Sequence, residues 1–186
     1  MNNACMIDIE TLSRKPDGCI ISIGMAVFNE SKVLAVDSWA IEHRYWHGHL
    51  EPNTLHWWFQ QSEEARHFSF SGTHTDSHVA VKIKDLFAEY MVHEVWANDP
   101  DFDLVMLKGW WSRCSALEYP VKFWNHRSYR TLLALVRDLT GTDPKKDFAG
   151  EFIAHNPADD ATAQARVVIA CRQLLRNNFQ LNSSPL

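Results

Sequence analysis

Residues 6–13, MIDIETLS, set two acidic side chains inside a stretch whose other residues suit a buried strand. Met6, Ile7 and Ile9 are what the interior of a sheet accepts. Asp8 and Glu10 are not, because a carboxylate withdrawn from water needs a partner. Side chains alternate between the faces of a strand, so Met6, Asp8 and Glu10 share one face and Cys5, Ile7 and Ile9 the other. The two carboxylates then lie about 6.6–6.8 Å apart along the chain, close enough to share a pair of divalent cations about 4 Å apart. Metal is one answer to the missing partner; a strand-end pair facing solvent is the plainer one.

The rest of the chain supplies layers around that strand. CIISIGMAVF (19–28) reads as a long apolar strand, NESK (29–32) as a turn, and VLAVDSWAIE (33–42) as an antiparallel return. PNTLHWWFQQSEEARHF (52–68) reads as one helix capped by Asn53 or Thr54. GTHTDS (72–77) is a loop, and Val79, Ile83, Leu86, Phe87 and Tyr90 give 78–91 a helical spacing. HEVWAN (93–98) is a short strand, followed by a helix over 99–117 with Pro100 near its first turn. VKFWN (121–125) reads as a further strand, and 128–139 and 158–177 as helices, with the tail after about residue 178 expected to be loose. Early strands followed by alternating helices and short strands imply one α/β domain over residues 1–186, a mixed central sheet flanked by helices.

Composition narrows the function. A chain of 186 residues, 46% hydrophobic and 22% charged, is ordinary for a soluble globular protein. No apolar run is long enough to span a bilayer, and the N-terminus does not read as a leader. Cys5, Cys19, Cys114 and Cys171 form no C-x-x-C pair, which argues against a zinc knuckle or a disulfide framework and for a reducing cytoplasm. A net charge of −5 argues against a broad phosphate-binding surface. It leaves room for a small nucleic-acid site in which metal ions supply the positive charge.

Two more acidic stretches stand where open α/β sheets place their chemistry. In WANDPDFDLVML (96–107), Asp99 suits a helix cap, Asp101 faces solvent, and Asp103 is best placed to point back over the sheet. In HNPADDATAQARVV (155–168), His155 precedes a helix start marked by Pro157, and Asp160 lies about one turn in. A histidine beside an inward carboxylate suits a general base; a cap and a surface histidine are the alternative.

In order along the chain, D-x-E, then F-D, then H-x-x-x-x-D resemble the DEDDh branch of 3′→5′ exonucleases, members of the RNase H-like superfamily. The stretches TLHWWFQQSEEAR (54–66), VWANDPDFD (95–103) and HRSYRTLLAL (126–135) look like the RNase AS-like exoribonucleases and related phage exonucleases. The resemblance implies an RNase H-like fold and two divalent ions, Mg²⁺ or Mn²⁺. It assigns metal ligation to Asp8, Glu10, Asp103 and Asp160, and water activation to His155. Asp159 matches a non-ligand acid, and Pro157 departs from the more usual alanine. The implied activity is release of nucleoside 5′-monophosphates from the 3′ end of single-stranded nucleic acid, with RNA favoured. The alternatives are a DNA exonuclease, a scavenger of short oligonucleotides, or an idle nucleic-acid-binding protein of the same fold.

Substrate contacts are expected from Ile9, Thr11 and Leu12, which interleave with or follow the first acids. Trp57 and Trp58 are candidates for base stacking, although neighbours on a helix cannot share one face. Arg127 and Arg130 are expected either to contact phosphate or to be solvated or salt-bridged. HRYWHGH (43–49) is expected as a mobile loop and Lys145 and Lys146 as surface charge. Trp110 and Trp111 are expected to pack or to form a self-association face; that surplus of tryptophan and the resemblance make a homodimer an expectation.

Overall fold

The computed structural model describes residues 3–148, 150 and 153–181. Its sheet is built from β1 (Asn3–Thr11), β2 (Ile20–Phe28), β3 (Val33–Ala40), β4 (Val92–Ala97) and β5 (His126–Ser128), in the spatial order β3-β2-β1-β4-β5. The β1–β2 and β2–β3 pairs are antiparallel; β4 runs parallel to β1 and β5 parallel to β4. Around it lie α1 (Pro52–Trp58), α2 (Glu63–Phe70), α3 (Asp76–Glu89), α4 (Asp103–Cys114), α5 (Tyr129–Thr140), α6 (Pro144–Phe148) and α7 (Pro157–Leu181).

Every residue of β2 is buried, so both faces of the central sheet are covered. On one face Cys5, Ile7 and Ile9 join Ile23, Met25 and Val27 under Val79, Ile83, Leu104 and Leu107 of α3 and α4. On the other, Met6, Ala26 and Phe28 meet Leu133 and Val136 of α5 and Val168 and Cys171 of α7. The strand period of two therefore sends Asp8 and Glu10 to the α7 side, as the sequence pattern implies.

Gly24 sets how close α7 can come. It pairs with Asp8 across the β1–β2 ladder, and a Cβ built on it would stand 2.1 Å from the Pro157 carbonyl carbon and oxygen. Only a residue without a side chain lets the start of α7 rest directly on the strand beside Asp8.

Several elements differ from the sequence reading. The single helix expected over 52–68 is broken: Gln61 donates its side-chain amide to the Trp57 carbonyl, and the Ser62 hydroxyl accepts the Ala65 N–H to start α2. Glu51, rather than Asn53 or Thr54, occupies the position before α1, with Pro52 at its first turn. The helix expected from 99 begins only at Asp103, because the Phe102 and Asp103 N–H groups both close onto the Asp99 carbonyl as a turn. VKFWN is no strand; Phe123–Asn125 forms a 3₁₀ turn that leaves Phe123 and Trp124 exposed, and pairing with β4 begins one residue later at His126. The final helix continues to Leu181, past the expected loosening at 178; the tail at 182–186 lies outside the described residues.

The HRYWHGH segment, expected as a mobile loop, is fastened twice. His47 Nε2 lies 2.5 Å from Asp76 Oδ2, and His49 Nδ1 hydrogen-bonds with the Ser13 hydroxyl at 2.8 Å. Trp110 and Trp111 are 1% and 2% exposed and belong to the core, so neither offers a self-association face.

Gly24→Ala is expected to lose about 1–3 kcal/mol of stability through overpacking, read as a lower urea midpoint. An unchanged midpoint would show that α7 does not sit against β2 as described.

Candidate active site

The carboxyl ends of the parallel strands and the start of α7 converge on a cavity of about 480 Å³ whose walls include Asp8, Glu10, Asp103, His155 and Asp160. Asp8 and Glu10 come from β1, Asp103 is the first residue of α4, and Asp160 lies in the first turn of α7. All five residues that the three motifs single out thus meet in one place. Asp99 also lines the cavity and pairs with Arg130 at 3.6 Å, while Asp101 is exposed.

The acids are held by different means. Asp103, 4% exposed, accepts the Asp99 N–H at 3.1 Å. Asp160 accepts the His155 N–H at 2.7 Å. Asp8 accepts the Gln164 side-chain amide at 2.9 Å. Glu10, 7% exposed, has its Oε1 3.9 Å from His155 Nδ1. His155 itself has a left-handed backbone, φ +64°, and its ring meets Trp57 edge-on with centroids 4.7 Å apart.

Burial is the chief reason the pKa values of these acids are raised. It pushes Asp8 well above the usual carboxylate range, and the charges of Asp103 and Asp160 push it further. Glu10 is raised in the same way, by burial first and then by Asp8, Asp160 and Asp103. Asp103 is pushed up to about 7, again mainly by burial, and Asp160 is raised for the same first reason. Such a cluster is complete only with positive charge among the acids.

The donor set fits a divalent cation. Glu10, His155 and Asp160 each offer a ligand atom within 4.8 Å of the others. Oxygen-rich sites suit Mg²⁺ and Mn²⁺. Gln164 lines the cavity, and its Oε1 is buried with no hydrogen-bond partner among the described residues.

A second cavity of about 600 Å³ adjoins the first and shares Ile9, Glu10, Arg14 and Phe102 with it; Thr11, Asn53, Thr54 and Trp57 complete its lining. Among the expected substrate contacts, Ile9, Thr11 and Trp57 line this space and Arg130 lines the acidic one. Leu12 and Trp58, each 1% exposed, are in the core instead, and the Trp58 indole donates to the Thr11 carbonyl. Arg127 is turned aside by Glu94 at 3.4 Å and by the Trp124 carbonyl at 2.8 Å. Lys145, read as surface charge, lines the acidic cavity. Gln164 was also missed, although its place four residues after Asp160 puts it on the same helix face.

Solved structures identify the fold. Cell-death related nuclease 4 (CRN-4) aligns with a TM-score of 0.67 at 12% identity, over 93% of this chain and 64% of its own. The zinc-bound E. coli exonuclease I–ssDNA complex gives 0.64 at 15%, over 95% of this chain and 41% of its own. The nuclease domain of 3′hExo, a DEDDh family member, bound to rAMP, gives 0.59 at 14%, over 95% and 92%. The chain thus has the RNase H-like α/β fold of the DEDDh exonucleases. It spans less than two thirds of the first two neighbours. No curated protein sequence matches it. Residues 3–172 match the Rv2179c-like 3′-5′ exoribonuclease domain, and the chain belongs to that family.

The acid cluster makes metal-free stability depend on pH. Folding raises the Asp103 pKa to about 7, so the folded state binds that proton more tightly than the unfolded one. This contribution is full below about pH 4 and disappears as pH rises through 7. Melts of chelator-treated protein are expected to show Tm falling between pH 5 and 8, by about 2–4 °C for each kcal/mol lost. Asp103→Asn should flatten that slope; an equal slope in both proteins would contradict the assignment.

Proposed function

We propose that this protein is a divalent-metal-dependent 3′→5′ exonuclease that releases nucleoside 5′-monophosphates from single-stranded RNA. The observation that carries this reading is the meeting of Asp8, Glu10, Asp103, Asp160 and His155 around one cavity with a second pocket, lined in part by Ile9, Trp57 and Phe102, beside it. The exoribonuclease description of the family supports RNA as the substrate.

Two divalent cations held by Asp8, Glu10, Asp103 and Asp160 would make the attacking water more acidic and stabilise the leaving 3′ oxygen. His155, at the rim beside Glu10, takes the proton from the water as it attacks phosphorus. Arg130 and Lys145, in the cavity wall, offset the charge of the phosphate oxygens. The terminal nucleoside enters the neighbouring pocket, where Trp57 and Phe102 offer flat apolar surface and Thr11, Asn53 and Thr54 offer polar groups. Ile9 stands between the two spaces and separates the base from the scissile bond. DNA is the second reading, favoured by the exonuclease I neighbour seen with single-stranded DNA.

The deciding experiment digests 5′-labelled single-stranded RNA and matched DNA with Mg²⁺ or Mn²⁺, beside an EDTA control and Asp8→Ala. A ladder shortening from the 3′ end on RNA, lost in both controls, is the expected result. Shortening of DNA alone would move the substrate to DNA, and no shortening of either polymer would overturn the enzyme reading. His155→Ala is expected to slow turnover about 10²–10⁴-fold while still binding Mn²⁺; near-normal turnover would remove His155 from the base role. Trp57→Ala should weaken oligonucleotide binding by about 1–3 kcal/mol, measured by anisotropy with Ca²⁺ in place of the active metal.

A further inference from the structure

We propose that Gln164 is a positioning residue: its amide N–H holds the Asp8 carboxylate in the orientation that binds the cation. This rests on the metal-dependent reading above, though not on which polymer is cut.

The acids are served unequally by the backbone. Asp103 and Asp160 each accept an N–H from their own segment, that of Asp99 and of His155 respectively. Asp8 has no such neighbour. It stands in mid-strand, in a ladder with Gly24 of β2 on one side and next to the β4 pairing on the other. Among the described residues its one side-chain hydrogen bond is to Gln164, 156 positions away on α7, at 2.9 Å.

The helix is shaped for this contact. Gln164 lies four residues after Asp160, so α7 presents a carboxylate and then an amide to the cavity, one turn apart. Its neighbours Ala161, Ala163 and Ala165 are buried and short, which brings the helix close enough for an amide to reach β1. The residue type is also constrained. A lysine here would occupy the cation's electrostatic role, and a glutamate would add another negative charge to a cluster already short of positive charge. An apolar residue would leave Asp8 free to rotate. A neutral amide donates one hydrogen bond without competing for the ion.

The orientation of the amide follows from the cation. A bound divalent ion holds Asp8 as a carboxylate, which accepts from Nε2 and repels Oε1, so the amide meets it N–H first. Oε1 is then buried and without a partner among the described residues, a cost that the contact with Asp8 has to outweigh.

The test titrates Mn²⁺ into the full chain by calorimetry, comparing wild type with Gln164→Met, which keeps length and volume, and with Gln164→Ala should the Met variant fail to fold. Mn²⁺ affinity is expected to fall about 10–100-fold in a variant that still melts cooperatively without metal. Any rate deficit on RNA should close at saturating Mn²⁺. Unchanged Mn²⁺ affinity, with or without a lower Tm, would overturn the proposal and leave Gln164 a packing residue. If wild type binds Mn²⁺ in this Gln164-dependent way but shortens neither RNA nor DNA, the exonuclease reading fails and the positioning role stands.

Discussion

Ionised carboxylates withdrawn from water repel one another and have lost the solvent that would screen them. Asp8 and Glu10 meet that difficulty on the strand at the centre of the sheet, and the arrangement around them answers it. The start of α7 is brought against the sheet, where Asp160 accepts the His155 N–H and Gln164 reaches Asp8. On the other side, in the turn from Asp99 to Asp103, Asp103 accepts the Asp99 N–H. For each raised acid, burial outweighs the neighbouring charges as the cause. The site is therefore defined more by the exclusion of water than by crowding of charge, and the two apolar layers beneath it supply the stability that such an arrangement consumes.

How much of this was legible in the sequence depends on the range of the interaction involved. The alternation in MIDIE, the apolar run at 19–28 and the order of the three motifs are local or nearly local signals. They gave β1, β2, the α/β layers and the five residues at the cavity. What those signals leave open or misread is decided by distant contacts. Trp57 and Trp58 are equivalent by composition; Trp58 goes inward because the Thr11 carbonyl, 47 positions away, accepts its indole N–H. Arg127 and Arg130 look alike as well, and Glu94 on the adjacent strand takes the first. VKFWN has the composition of a strand, yet the ladder with β4 begins one residue beyond it. Lys145 sits on a five-residue helix with too few positions to show a periodic face.

The two joined cavities divide the work by polarity. One concentrates acids and is bordered by Arg130 and Lys145; the other is mostly apolar, with the hydroxyls of Thr11 and Thr54 and the amide of Asn53. Under the proposed function, that division lets a chain with a net charge of −5 accept a polyanion at the acid cluster. Arg130 and Lys145 place positive charge in the immediate surroundings of the acids. Arg14 borders both cavities but is held by Glu51 through Nε at 3.3 Å and Nη2 at 3.0 Å.

His155 pays a backbone penalty for its place. At φ +64° its Cβ crowds its own carbonyl, and glycine would relieve about 1–2 kcal/mol there while removing the imidazole. Under the proposed function, stability and chemistry pull this one position toward different residues. If His155 is the proposed base, a screen for heat resistance alone would drift to glycine at 155 and return a sturdier, silent protein. The strained histidine is the point at which thermostabilisation by sequence averaging should be withheld.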